Sequence, residues 1–167
     1  MIRTAERADV VPVIGLVRDL AAYEREPDAV AMTPDDLTVA LFGDPPAVHC
    51  LVATAPGQGG DVLGCALWHP TFSTWTGQAG MYLVDLFVRP EHRREGHGRA
   101  LLRELARLCA RHGYQRLEWA VLDWNTPAHD FYRSVGATAT EEWTTWRLDA
   151  AAIDALAHRR PPGDDVG

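Results

Sequence analysis

Leu83-Val84-Asp85-Leu86-Phe87-Val88 is an apolar run of strand length, and Arg93-Arg94-Glu95-Gly96-His97-Gly98 follows it after a short connection. From Gly98 onward the period changes. Leu101, Leu105, Leu108 and His112 recur at helical spacing as far as Gly113, a residue suited to closing a helix. A strand therefore passes through two near-adjacent glycines into a helix. Glycine lets a backbone approach a ligand closely, and the first helical turn carries N–H groups without intrahelical acceptors. The helix dipole adds partial positive charge at that end, so the place suits a phosphate or diphosphate. Gly-x-Gly alone is more often only a tight turn. Two other phosphate motifs are excluded: the chain has neither Gly-x-x-x-x-Gly-Lys-Ser/Thr nor Gly-x-Gly-x-x-Gly with a downstream acidic partner.

Outward from this stretch, residues 2–5 read as a first strand. Asp9 is placed to cap a helix that tolerates Pro12 in its first turn, with Val10, Ile14, Val17 and Ala21 along one face. Tyr23-Glu24-Arg25-Glu26-Pro27 is a loop. Thr33 caps a second helix, with Pro34 at its first position, through about Leu41. Strands are expected at residues 48–54 and 62–68, joined by the turn Pro56-Gly57-Gln58-Gly59-Gly60-Asp61. Residues 71–80 read as a polar connection into a long strand at 81–88. Beyond the central helix come a strand at 115–122, a short helix at 127–134, a last strand at 138–148 and a terminal helix at 150–157. One domain over residues 1–157 is expected, and residues 158–167 are expected to form a disordered tail. Strands in succession, then strand–helix alternation, indicate an α/β chain with a mixed sheet and helices on its faces.

The chain has 167 residues, 47% of them apolar, enough for one domain with a proper core. No stretch approaches the roughly 20 apolar residues that span a bilayer, and Met1-Ile2-Arg3-Thr4-Ala5-Glu6 is not a signal-peptide pattern, so a cytoplasmic protein without membrane contact is expected. Its three cysteines, Cys50, Cys65 and Cys109, each lie in an apolar run and read as buried free thiols. The seven histidines show no paired ligand spacing, so no metal is expected. A net charge of −7 disfavours nucleic acid and is compatible with a cationic amine.

About thirty residues past the glycines comes Trp124-Asn125-Thr126-Pro127-Ala128-His129-Asp130-Phe131-Tyr132, followed by Val135-Gly136-Ala137. Arg-x-x-Gly-x-Gly after a strand, then Asn-x-Pro, Phe-Tyr and Gly-Ala, resembles the GCN5-related N-acetyltransferase superfamily. Within it the chain most resembles the spermidine/spermine branch, which includes diamine and thialysine acetyltransferases. The resemblance is carried by Leu20-Ala21-Ala22-Tyr23-Glu24, His49-Cys50-Leu51-Val52-Ala53, Ser73-Thr74-Trp75-Thr76-Gly77 and Glu118-Trp119-Ala120-Val121-Leu122-Asp123-Trp124-Asn125.

What the resemblance implies is a mainly antiparallel sheet whose splayed strands form a wedge for acetyl-CoA, in a homodimer that acetylates a primary amine of a small molecule by direct attack. It assigns the pantetheine contacts to the backbone of Leu86 and Val88, with the Leu86 N–H polarising the thioester carbonyl. It assigns the diphosphate to the backbone of Arg93, Arg94, Glu95, Gly96, His97, Gly98 and Arg99, a further cofactor contact to Asn125, and the proton donor for the departing thiolate to Tyr132. A phenol with a pKa of about 10 stays protonated at neutral pH, as an acid must. Tyr23, Glu24, Trp75, Asp85 and Trp146 match the acceptor side, where aromatic faces and carboxylates suit an alkylammonium chain. Trp75 and Trp146 are also readable as core or dimer-contact residues.

Three positions depart from the branch. Val84 stands where it usually has a glutamate that serves as base or orients the amine, which leaves three readings open: deprotonation through water to Asp85 or Glu24, an acceptor amine weakly basic enough to need little help, or weak or absent activity toward free polyamines. Arg94 replaces a frequent glycine, and a positive φ there would cost roughly 1 kcal/mol. His97 replaces a frequent apolar residue and reads as solvated at the helix start. Acetylation of another amine (an amino acid, an antibiotic or a protein amine) and a CoA-binding sensor without turnover both remain open at this level.

Overall fold

The computed structural model describes residues 1–57, 59–140 and 144–158. The chain divides into two compact units, Met1–Thr126 and Pro127–Gly167. The first unit holds the strands β1 (Ile2–Thr4), β2 (His49–Thr54), β3 (Val62–Ser73), β4 (Gln78–Val88) and β5 (Leu117–Glu118), with helices α1 (Val10–Tyr23), α2 (Pro34–Phe42) and α3 (His97–His112). The sheet order is β1-β2-β3-β4-β5, antiparallel except for the parallel pair β4–β5. This is the expected mixed, mainly antiparallel α/β sheet.

Strand alternation distributes the core over both faces. Cys50 and Val52 of β2, Cys65 and Leu67 of β3 and Phe87 of β4 pack with Val13, Ile14 and Leu16 of α1 and Leu37 of α2. The intervening Leu51 and Ala53 face the other way, toward α3, which buries Leu101, Leu102, Leu105 and Cys109. Cys109 Sγ lies 3.9 Å from Met81 Sδ on that face. His112, expected to continue the apolar stripe, is exposed, and Leu102 and Cys109 fill the stripe instead.

β4 changes face partway along. Leu67 opposes Asp85 while Trp68 opposes Leu83, so Val84 is an extra residue in the ladder. One inserted residue exchanges the faces of everything beyond it. Met81 accordingly lies under α3, whereas Phe87 lies in the core beneath α1. β5 reaches β4 only at Met81–Leu117 and Tyr82–Glu118, leaving the rest of that edge open. The Arg89 N–H donates to Leu63 O of β3 at 2.9 Å. Alternation then directs the N–H and C=O groups of Leu86 and Val88 to the open edge. β3 and β4 approach closely here: a Cβ on Gly64 would sit 2.6 Å from Phe87 O.

The second unit contains most of α4 (Thr126–Arg133) and all of α5 (Ala150–Ala157). α4 closes when the Val135 and Ala137 N–H groups each donate to Tyr132 O at 3.1 Å, with Gly136 at φ +89° making the reversal. Asp149 caps α5 by accepting from the Ala152 N–H at 2.8 Å.

Several expectations are corrected. Residues 71–80 are not a connection but the tip of the β3–β4 hairpin, since both strands extend to Ser73 and Gln78. The strand expected at 115–122 is only Leu117–Glu118, whose pairing with β4 stops at Tyr82, just before the extra residue Val84. Of the strand expected at 138–148, residues 141–143 lie outside the described residues and those flanking them form no strand. The expected tail, apart from His158, also lies outside them. Asp9 does not cap α1 with its side chain. Its carboxylate instead takes both Arg3 guanidinium nitrogens, at 2.6 and 2.9 Å, and the Glu6 N–H at 2.7 Å. No described helix is long and apolar enough to cross a membrane.

The Arg3 guanidinium holds the buried Asp9 carboxyl below its ordinary range, against the opposing effect of burial. A carboxyl lowered by folding contributes stability above the ordinary carboxyl pKa of about 3.9 and loses it as pH falls through the lowered value. Asp9→Asn should therefore cost about 1–3 kcal/mol at pH 7. Denaturant titrations at a series of pH values should show the gap to the unmodified protein closing as pH drops below about 4.

Candidate active site

The loop between β4 and α3 is built by backbone turns. A 3-10 turn at Pro90–His92 uses the Arg93 N–H, which donates to Pro90 O at 3.2 Å. Arg94 then takes φ +67° and Gly96 φ +86°, both left-handed. The N–H groups of Arg94, Glu95, Gly96, His97 and Gly98 find no acceptor among the described residues, and the first bond into the helix is Ala100 N–H to Gly96 O at 2.9 Å. Successive inward amides in such a turn make a concave site for an anion. A Cβ on Gly96 would meet nothing within 4 Å, so glycine serves the φ angle there and the space in front stays open. These residues fit a diphosphate. Of the two residues flanking these in the expected set, the Arg93 N–H is engaged in the 3-10 turn and Arg99 stands in the first turn of α3.

Side chains of this loop pair with one another. Glu95 Oε2 lies 3.1 Å from His97 Nε2 and 3.4 Å from His92 Nδ1, so His97 is held against Glu95 and its side chain is 19% exposed rather than fully solvated. Arg93 turns back along β4. Its Nε donates to Val88 O at 3.1 Å, and its guanidinium lies 5.3 Å from the Phe87 ring and 5.0 Å from the Tyr23 ring.

Tyr23 ends α1 and faces the same edge. Its hydroxyl donates to Asn125 Oδ1 at 3.0 Å, joining residues far apart in the chain, and Asn125 is buried. Trp124 lies 6.0 Å from the Tyr23 ring, and the Arg25 guanidinium sits 4.5 Å above Trp124. Glu24 and Asp85, both half-buried, share the α1 side of β4. Burial raises the Asp85 carboxyl, and burial together with the Asp85 charge raises Glu24. Neither carboxylate has a cation partner among the described residues.

Tyr23, Glu24, Asp85, Leu86, Val88 and Asn125 are thus brought together in the first unit, beside the Arg94–Gly98 amides. Trp75 is not among them. It is exposed in the turn after Ser73, and Asp85 lies seven residues beyond Gln78, roughly 20 Å along the strand. In the second unit Tyr132 is half-buried on α4 against Phe131, and Trp146 is 91% exposed. Sequence reasoning missed Arg25 and missed Trp124 as a ring contact. Neither has a periodic signal, since each stands outside the regular elements and their contact joins distant segments.

The family model for the acetyltransferase (GNAT) family matches residues 15–137. A thialysine N-epsilon-acetyltransferase of Bos taurus is 39% identical over 165 residues, covering 94% of this chain and 96% of that protein. One from Caenorhabditis elegans is 37% identical, covering 87% and 89%. Among solved structures, an integron cassette protein from the mobile metagenome of V. cholerae superposes with a TM-score of 0.77 at 27% identity, covering 95% and 98%.

The left-handed backbone at Arg94 yields a test of the loop. Arg94→Gly should raise stability by up to about 1 kcal/mol in chemical denaturation, whereas Arg94→Ala, which keeps the strain, should not.

Proposed function

The chain belongs to the acetyltransferase (GNAT) family, and on that premise we propose that it carries acetyl from acetyl-CoA to a primary amine of a small molecule: a diamine, a polyamine or a lysine-like compound. The observation that carries this reading is the juxtaposition of the β4 edge at Leu86 and Val88, which β5 leaves unpaired, with the unengaged amides of Arg94 to Gly98. When bound, acetyl-CoA supplies an acetyl thioester. Leu86 and Val88 hold its pantetheine arm by backbone hydrogen bonds, the loop amides hold its diphosphate, and Asn125 contacts the arm. The Val88 carbonyl becomes available when the Arg93 guanidinium moves aside. The acceptor side consists of Tyr23, Glu24 and Asp85, while the exposed Trp75 and Trp146 take the dimer-contact reading.

The amine nitrogen attacks the thioester carbon. The Leu86 N–H stabilises negative charge on the carbonyl oxygen, the C–N bond forms and the C–S bond breaks. The amine proton goes toward Asp85, directly or through water and Glu24, and Tyr132 returns a proton to the thiolate. Asp85 suits this role because desolvation makes it a stronger base than an exposed carboxylate. The cysteines do not suit an acetyl-enzyme route: burial pushes the Cys50 thiol up to about 12 and Cys65 well above its ordinary value, so both stay protonated. The same reading makes the protein a cytoplasmic homodimer, with the exposed Trp146, Leu148, Ile153 and Leu156 of the second unit available for assembly.

Tyr132→Phe should keep acetyl-CoA binding by calorimetry and lose about a hundredfold or more in amine-dependent thiol release. Full binding with no release by the unmodified protein on any amine would instead mark a CoA-binding module, the reading that Val84 motivates. Asp85→Asn should behave oppositely in two assays. A carboxyl raised by folding loses native-state stability as pH climbs from its ordinary value through the raised one. The variant should therefore be more stable than the parent at pH 7, converge with it in acid, and release thiol more slowly. In the parent, kcat/KM should fall as pH drops through this raised carboxyl range.

A further inference from the structure

The rim beside Glu24 and Asp85 carries an unmatched positive charge as well as unmatched negative ones. Arg25 follows the last turn of α1 at φ +69°, a left-handed conformation that a residue with a side chain adopts at a cost. Its N–H donates to Ala22 O at 3.2 Å, while Glu26 N–H donates to Ala21 O at 2.9 Å, so the helix end itself imposes the turn. The turn lays the guanidinium over Trp124, whose ring is 6.0 Å from Tyr23, and Tyr23 is bonded to Asn125. Arg25 makes no ion pair with any described residue, although Glu24 and Glu26 flank it in sequence. A guanidinium over an indole face retains a rigid planar fork of N–H donors, and such a fork takes a carboxylate through two parallel bonds.

A diamine or polyamine would satisfy Glu24 and Asp85 but would bring only further positive charge to Arg25. An acceptor with an amine at one end and an amino-acid carboxylate at the other satisfies both sets. We propose that Arg25 is a specificity-determining residue that binds the carboxylate of the acceptor, so that the acceptor is a diamino acid and not a diamine or polyamine. This rests on the small-molecule amine reading above and narrows it.

The test uses matched pairs that differ by the carboxylate alone: S-(2-aminoethyl)cysteine against bis(2-aminoethyl) sulfide, and ornithine against putrescine. The unmodified protein should acetylate the amino acid of each pair with the higher kcat/KM. Arg25→Gly suits the left-handed backbone and so keeps the fold. It should lower the ratio of amino-acid to diamine kcat/KM about tenfold or more, with the loss in KM. Arg25→Lys should recover part of that ratio. Equal preference within the pairs, or a Gly variant that loses both substrates alike, overturns the role of Arg25 and leaves the amine reading standing. If the unmodified protein acetylates no amine of either kind, the amine reading fails and the role of Arg25 fails with it.

Discussion

A single inserted residue in β4 organises the site. Without the bulge at Val84, Asp85 would share the face of Met81 and Leu83 beneath α3, and Leu86 and Val88 would turn their N–H and C=O groups toward β3. With it, Asp85 joins Phe87 on the α1 side, and the backbone of Leu86 and Val88 faces the edge where β5 is absent. The same residue therefore sets the position of the carboxylate and the orientation of the free backbone groups. Val84 itself is 48% exposed. Its side chain is freer to vary than its place in the ladder.

The electrostatics follow from that placement. Burial is the main cause that raises the thiols of Cys50 and Cys65 and the carboxyl of Glu24, and the charge of Asp85 adds to it in each. Two carboxylates partly withdrawn from water and close enough to repel one another oppose folding, and the fold retains them without a described cation to offset them. Groups held so at an open strand edge are suited to proton transfer or to a cationic ligand. The Arg3–Asp9 pair is the structural contrast. There a buried carboxylate is fully matched and lowered, and it pins β1 to the start of α1.

Much of this was legible in the sequence because it is local. The Gly96-x-Gly98 turn, the left-handed strain at Arg94, the Thr33-Pro34 helix start and the α3 stripe depend on a few neighbouring residues, and each has its counterpart in the structure. The bulge was not legible. In Leu83-Val84-Asp85-Leu86-Phe87-Val88 both registers place apolar side chains on both faces, so alternation carries no phase. The hairpin tip was hidden by its polar composition, since strands extending past the core need no apolar alternation. Asp9 misled for a different reason: a residue well suited to capping was taken by a stronger partner outside the helix, Arg3 of β1. The contacts of Tyr23 with Asn125 and of Arg25 with Trp124 join segments about a hundred residues apart, which no window of local pattern can reach.

The unengaged loop amides and the occupied strand edge differ in one respect. The Arg94–Gly98 N–H groups are preformed, fixed by two left-handed residues and the start of α3, and require no rearrangement to meet an anion. The edge of β4 is half prepared, because Arg93 Nε already occupies the Val88 carbonyl while its guanidinium rests on Phe87 and Tyr23. An arm entering along that edge must displace one hydrogen bond and two ring contacts, each worth about 1 kcal/mol or less where exposed. Such contacts protect an apolar strand edge that would otherwise be bare, and they are weak enough to yield to a ligand that bonds the same carbonyl. In the proposed binding mode, anchoring of a diphosphate therefore precedes, and helps to drive, the opening of the strand edge.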